Sequence, residues 1–211
     1  IENRAPVTPL TKFRVGSIAK PMTSIAMALL YERGLVDLDV PIQEYVKDFP
    51  VKEKGAVTLR LLASHRAGIR HYLPDMSDNF ITKHYDDAKE ALEVFIDDPL
   101  IAAPGERFLY SSHGYNLIGV IIQEVSGQSY MDFMREQVFS PLRLTATLAD
   151  HTDYIIEDRA APYTRREDGS LRNAPYVDNS YKWPSGGLLS TPSDLVKFGF
   201  GVFNGSIIKD E

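Results

Sequence analysis

The chain has 211 residues, 44% of them hydrophobic and 25% charged, with 14 glycines, 13 prolines and no cysteine. That length suits one large domain or two small ones with a core of their own, and the missing cysteines exclude a disulfide framework, thiolate metal ligands and a cysteine nucleophile. The 29 acidic and 23 basic residues leave a net charge of −6, no Lys/Arg cluster offers a nucleic-acid footprint, and no uncharged apolar run reaches the ~18 residues of a membrane span.

Ile1 to Pro9 lack the apolar centre of a signal peptide and begin without Met, so the chain reads as a trimmed or partial product. Phe13-Arg14-Val15 is short, alternating and β-like, and Gly16 breaks it. From Ile18 to Tyr31 apolar residues cover nearly the whole helical circumference, which predicts a buried helix starting within a residue or two of Ser17. Pro21 is tolerated there only beside the first turn, and Gly34 stops the helix in the C′ position. Asp39-Val40-Pro41 opens a turn of helix through Val46, with Asp37 and Asp39 read as starting and capping it. Thr58 caps Leu59–Ser64, Asp87–Asp97 reads as a helix closed by Asp98-Pro99, and Gly114–Ser126 is amphipathic and ends at Gly127. Ser129-Tyr130-Met131-Asp132 and Thr191-Pro192-Ser193-Asp194 have capping-box spacing and open helices to Phe139 and Phe203. A short hairpin is expected at Glu167-Asp168-Gly169-Ser170; strand signals are otherwise scarce, and the chain reads as mostly helical.

Two segments carry chemistry. Ser17 and Lys20, three apart at a helix start, lie on one face a turn from each other. A lysine there takes the serine proton once burial lowers its pKa of about 10.4, and the helix N-terminus turns N–H groups toward an oxyanion at the serine. The plainer reading has Ser17 capping the helix and Lys20 reaching solvent. The same S-x-x-K spacing recurs at Ser206–Lys209, in what reads as a loop. Tyr110, in a loop opened by Pro104-Gly105-Glu106 and followed by Ser111-Ser112, either points its phenol into a cleft to shuttle protons or packs its ring in the core.

Phe13-Arg14-Val15-Gly16-Ser17-Ile18-Ala19-Lys20 resembles the first motif of the serine β-lactamase and penicillin-binding superfamily. Further segments resemble its class C-like branch, which holds D,D-peptidases and esterases: Gly34–Asp39, Leu61–Ile69, Pro104–Ser111 and Ser185–Thr191. Gly68-Ile69-Arg70-His71-Tyr72 and Pro175–Trp183 resemble the mitochondrial serine β-lactamase-like proteins and their bacterial relatives. The likeness keeps its order along nearly the whole chain. It implies an α+β, β-lactamase/transpeptidase-like fold, a mostly helical subdomain beside an antiparallel-sheet α/β subdomain, with much of the sheet outside this chain. Residues 1–211 would be one partial domain: a nucleophile-bearing segment and buried helix at 11–34, a mainly helical subdomain at 35–180 and a return segment toward the sheet at 181–211.

The resemblance implies that Ser17 is the acylated nucleophile, Lys20 its proton acceptor, Tyr110 the partner acid and base, and Ser112 and Gly187 substrate-binding residues. It implies a serine hydrolase acting on a peptide, ester or β-lactam bond, with no cofactor, no metal and a small-molecule or peptide substrate. An extracytoplasmic location is also implied, and oligomerisation is left open. Two departures stand out. Ser112 occupies the third position of a Tyr-x-Asn motif, with a shorter reach than the asparagine amide, and no Lys/His-x-Gly follows Gly187. They motivate a second reading, a catalytically silent binding or assembly module. His65 and His71 are six apart, without metal-ligand spacing, and His65 falls by resemblance in a structural turn. His84 and His151 read as surface residues. Trp183, with Tyr176, Asn179 and Tyr181, either lines the cleft or packs loops.

Overall fold

A computed structural model describes residues 4–208. The second S-x-x-K ends at Lys209, outside the described residues. A three-stranded antiparallel sheet is built from β1 (Phe13–Arg14), β2 (Leu148–Ala149) and β5 (Leu188–Ser190), in the order β1-β5-β2. Phe13 pairs with Ser190 and Arg14 with Leu189, while Leu148 pairs with Leu189. The antiparallel β1–β5 register sets the residues just after β1 beside those just before β5. Gly16 and Gly186 are neighbours there, and a Cβ on Gly186 would rest in ordinary contact, 3.6 Å from the Gly16 carbonyl carbon.

The helical body comprises α1 (Ala19–Glu32), α2 (Leu59–Ala63), α3 (Ser112–Ser126), α4 (Tyr130–Phe133) and α5 (Pro192–Phe203). Helix α1 packs on α3 and on the π-helical continuation of α4, Met134–Phe139. Met22, Ala26 and Leu30 of α1 and Leu117, Ile118 and Ile121 of α3 are essentially removed from water; burying each of the larger chains contributes roughly 1.5–3 kcal/mol. Gly34 (φ +67°) donates to Tyr31 and Leu35 to Leu30, the paired bonds of a Schellman ending. Thr58, Ser111, Ser129 and Thr191 each accept a backbone N–H as N-caps. The ring of Pro184 sits where a Cβ on Gly119 would go, so the 180–187 segment lies directly on α3.

Several expectations change. Asp87–Asp97 forms only a 3-10 turn at Glu90–Val94, because the Asp87 carboxylate takes the Lys89 N–H at 2.6 Å and closes a local turn instead of a helix. The segment after Asp39 is likewise a 3-10 turn, Ile42–Glu44, and neither aspartate caps it. Asp37 accepts the Asp39 N–H at 2.8 Å, and Asp39 pairs with Arg60 at 2.7 and 2.8 Å. The expected hairpin is present as β3 (Tyr163–Arg165) and β4 (Leu171–Asn173), turning at Gly169 with φ +83°. His84 and His151 are half-buried rather than surface residues, with ring centroids 4.8 Å apart. Trp183 lies among them, Tyr181 is buried, Asn179 is bonded to the buried Asp150 at 2.5 Å, and Tyr176 is exposed.

A buried polar cluster joins these loops to α3. His113 lies 3.1 Å from Asp78 and 3.0 Å from Arg70, under the ring of Phe95. Arg70 also bonds Asp78, and it reaches Asp98 at 2.6 Å. Burial, reinforced by the Arg70 charge and opposed by Asp78, pushes the His113 pKa down from 6.5 to about 4. Burial and then the Lys20 charge also lower His65 and His71. As pH falls below 6.5 the unfolded chain binds protons that these folded histidines refuse, so their stabilising share is complete above 6.5 and is lost toward about pH 4. Asp78, held below 3.8 by hydrogen bonds that outweigh its burial, adds its own loss only below that pH. The urea midpoint should therefore fall between pH 6.5 and 4, and fall less steeply in His113→Gln; a midpoint constant across that window would contradict the assignment.

Candidate active site

Ser17 sits in the 3-10 turn Gly16–Ile18 that joins β1 to α1, with Gly16 at φ +53° making the corner. Its side chain faces solvent, whereas Lys20, one turn on, is only 4% exposed. The Tyr110 hydroxyl donates to Ser17 Oγ at 2.7 Å, and Lys20 Nζ donates to the same oxygen at 3.1 Å. Lys20 Nζ also donates to Ser112 Oγ at 3.1 Å and to the Ser185 carbonyl at 2.6 Å. Its three N–H bonds are thereby directed to three oxygens from three parts of the chain, while the Tyr110 ring lies 4.9 Å away. Of the two readings open for Ser17 and Lys20, capping is not what the serine does: no side-chain cap bond is made at this helix start.

Burial lowers the Lys20 pKa from 10.5, against hydrogen bonding and attraction from Tyr110. Burial would raise the Tyr110 phenol, but its hydrogen bonds with Lys20 and Ser17 and the lysine charge outweigh this and hold it below 10.0. Two groups whose pKa values are both lowered therefore meet at one serine oxygen, and losing one proton from the pair leaves a base in contact with Ser17 Oγ. Tyr110 is 39% exposed, so its ring borders the cleft instead of filling the core.

Histidines position the second motif. His65 Nδ1 accepts the Ser111 N–H at 3.1 Å and His71 Nδ1 accepts the Ser112 N–H at 3.2 Å. Both therefore present an unprotonated Nδ1, in keeping with their lowered pKa values. The Ser111 hydroxyl donates to the Arg70 carbonyl at 2.7 Å, tying the same turn down from the other side. The His65 ring also stacks near Tyr110, with centroids 4.4 Å apart.

The structure brings Ser17, Lys20, Tyr110 and Ser112 together and leaves Gly187 aside. Ser112 is buried and faces the lysine, not the open cleft. Gly187 donates to Lys182 and accepts from Asp150, both at 2.9 Å, and a Cβ there would strike the Asn179 carbonyl and Trp183. It is a packing glycine behind the cleft wall. Sequence reasoning missed Ser185, whose contribution is a carbonyl and leaves no side-chain signature. It also missed Tyr72, half-buried with its ring 4.3 Å from that of His71; the only signal was its place in the Gly68–Tyr72 segment.

Beside Ser17 lies a cleft of about 830 Å³, with Tyr110 and Tyr115 on one wall and Phe198, Val202 and Phe203 of α5 on the other. Neither Ser112 nor Gly187 lines it.

Comparison with known proteins identifies the family and the fold. The sequence profile of the Beta-lactamase family matches residues 1–211. Serine beta-lactamase-like protein LACTB, mitochondrial, of Homo sapiens is 36% identical across 97% of this chain and 49% of its own length. Protein flp of Staphylococcus aureus (strain NCTC 8325 / PS 47) is 26% identical across 92% of this chain and 39% of its own. Among solved structures, the penicillin binding protein from Bacillus halodurans superposes with a TM-score of 0.85 at 26% identity, covering 99% of this chain and 64% of that one. D-amino acid amidase from Ochrobactrum anthropi in complex with D-phenylalanine gives 0.86 at 29% identity, covering 99% and 61%. The chain spans about half the length of the mitochondrial relatives it matches. Matched by that profile from end to end, and sharing the β-lactamase/transpeptidase-like fold of these structures, the chain belongs to the beta-lactamase family.

Proposed function

We propose that this chain carries the nucleophilic half of a serine hydrolase that works through a covalent acyl-enzyme. One observation carries the reading: an exposed serine oxygen is held at 2.7 Å by a tyrosine hydroxyl and at 3.1 Å by a buried lysine, both with pKa values shifted toward neutrality. With one proton removed from the Lys20/Tyr110 pair, the base accepts the Ser17 hydroxyl proton as Oγ attacks the substrate carbonyl. The C–O bond forms, the carbonyl becomes an oxyanion, and the Ser17 backbone N–H at the turn before α1 supplies one donor to it. On collapse, Tyr110 gives the proton to the leaving amine or alcohol, and the acyl group remains on Ser17. Water then attacks the ester and passes its proton to the same pair; collapse breaks the acyl C–Oγ bond, the pair returns that proton to Ser17 Oγ, and the acid is released.

The substrate class proposed is a small amide or peptide, or an ester, in preference to a dedicated β-lactam. The relatives named D-amino acid amidase and D-stereospecific amidohydrolase, at 29% and 24% identity, support an amide. Serine in place of asparagine at position 112 favours the second reading, a catalytically silent module, and the octameric penicillin-binding protein homologue from Pyrococcus abyssi gives an assembly precedent. Against it, Ser112 does reach the lysine at 3.1 Å, so the substitution leaves the charge fully bonded.

A fluorophosphonate probe should label the protein at Ser17, located by peptide mass spectrometry, and Ser17→Ala should abolish labelling. Undiminished labelling of that variant would overturn the mechanism, and a folded wild-type protein that takes no label would favour the silent module. Lys20→Met and Tyr110→Phe should each slow acylation by roughly 10²–10⁴-fold, the usual worth of a positioned general base. The wild-type labelling rate should climb with pH and level off below pH 10, since burial lowers Lys20 and the lysine contact lowers Tyr110. A plateau reached only above that pH would assign proton transfer to a group outside this pair.

A further inference from the structure

Away from Ser17, on the far side of the 178–187 segment, three loops converge on a second cavity of about 330 Å³ lined by His84, Asp86, His151 and Trp183. His84, His151 and Asp153 each place a ligand atom within 4.8 Å of the other two, the one such trio among the described residues. The His84 ring is held as a metal ligand would be. Its Nδ1 lies 2.8 Å from Asp178 Oδ2, and that carboxylate is buried, held also by the Thr152 hydroxyl at 2.7 Å and the Ser180 N–H at 2.9 Å. A carboxylate only accepts, so Nδ1 carries a proton and Nε2 is the nitrogen left to face outward. This buried carboxylate–histidine pair is the usual outer support of an imidazole bound to a metal.

Facing that Nε2, Asp86 Oδ1 lies 3.5 Å away. The spacing is too long for a good hydrogen bond. It matches the edge of a tetrahedron with metal–ligand bonds of about 2.1 Å, which is about 3.4 Å. His151 is fixed by stacking on Tyr154 at 3.9 Å, and Asp153 and Asp86 are exposed and free to rotate inward. Ligation by His151 gives up one long bond, the 3.2 Å contact from the Asp153 N–H to its Nδ1, either directly or through the tautomer change that Nε2 ligation requires.

We propose that His84, His151 and Asp153, with Asp86 as fourth ligand, bind one divalent cation of the zinc class. Nitrogen and carboxylate donors in a set of four suit Zn²⁺ and its first-row neighbours better than Mg²⁺ or Ca²⁺. The bound cation would staple the 84–86 and 151–153 loops and, through Asp178, the segment that delivers the Ser185 carbonyl to Lys20. Its role would be to stiffen the wall behind the serine, not to take part in acyl transfer.

The test uses the single tryptophan, Trp183, whose ring centroid is 5.9 Å from that of His151. Chelator-treated protein is titrated with zinc sulfate, followed by tryptophan fluorescence and calorimetry. The expected result is saturable one-to-one binding at micromolar or lower zinc and no response to magnesium. Asp86→Asn and Asp153→Asn, at exposed positions where folding is undisturbed, should weaken binding at least tenfold. The double variant His84→Ala/His151→Ala should abolish it, and Asp178→Asn should weaken it by roughly 10–100-fold as an outer support. Zinc affinity should be the same in Ser17→Ala, which separates this site from the hydrolase reading. Absence of saturable binding, or equal affinity in the Asp86, Asp153 and double-histidine variants, would overturn the proposal and leave His84 as an ordinary partner of Asp178.

Discussion

A buried ammonium group organises this molecule. Lys20 is almost wholly withdrawn from water, and a desolvated cation is tolerated only where its donors meet acceptors. Those acceptors are Ser17 Oγ one turn earlier, Ser112 Oγ at the start of α3, and the Ser185 carbonyl just before β5. One charge thus pins together the turn before α1, the N-terminus of α3 and the approach to the central strand. The same contacts that satisfy the charge also place Tyr110 and Ser17 in contact, so the fold and the candidate chemistry depend on one interaction. Everything that delivers an acceptor to Lys20 is under the same constraint.

That delivery is achieved by backbone pairing more than by side chains. The β1–β5 register sets Gly16 against Gly186, and Gly16 takes the φ of +53° that turns the chain from β1 toward Ser17. Pro184 presses onto Gly119 of α3, and its carbonyl takes the Thr23 hydroxyl of α1 at 2.6 Å. Asp150, with no exposed surface on its side chain, gathers Arg14 at 2.6 Å, Arg159 and Asn179, and so binds the edge of the sheet to the loop that contains Lys182 and Trp183. Lys182 is itself buried, which pushes its pKa down to about 8, and its two bonds to Asn79 fasten the loop to the 77–79 turn. The wall behind Ser17 is therefore a rigid assembly of ion pairs and close glycine contacts.

Much of this was legible locally. Helix starts at Thr58, Ser129 and Thr191 and the stop at Gly34 follow from capping chemistry that acts within four residues, and sequence spacing reports such interactions directly. Ser17, Lys20 and Tyr110 were legible because their types and order carry chemistry. The Asp87–Asp97 helix was misread because a side-chain turn at Asp87 competes with the helix, and the outcome depends on packing that periodicity cannot show. Ser185 and Gly187 illustrate the deeper limit. One acts through a carbonyl on a lysine 165 residues away, and the other through a missing Cβ against Asn179 and Trp183, and neither leaves a side-chain signature. The Asp178–His84 support was hidden for the same reason, since 94 residues separate its members.

The substitution at position 112 shows how such distant contacts compensate for one another. A serine hydroxyl is shorter than an asparagine amide and offers one donor instead of two. Here its acceptor function is directed at Lys20 at 3.1 Å. Position 112 consequently faces inward, and the cleft surface near Ser17 is left to Tyr110 and the aromatic side chains of α5. A substrate amide at Ser17 would meet an apolar, aromatic wall with few fixed polar donors. On the hydrolase reading, orientation of the scissile bond would rest on the serine turn and Tyr110, with the α5 side chains beside them and Ser112 turned away.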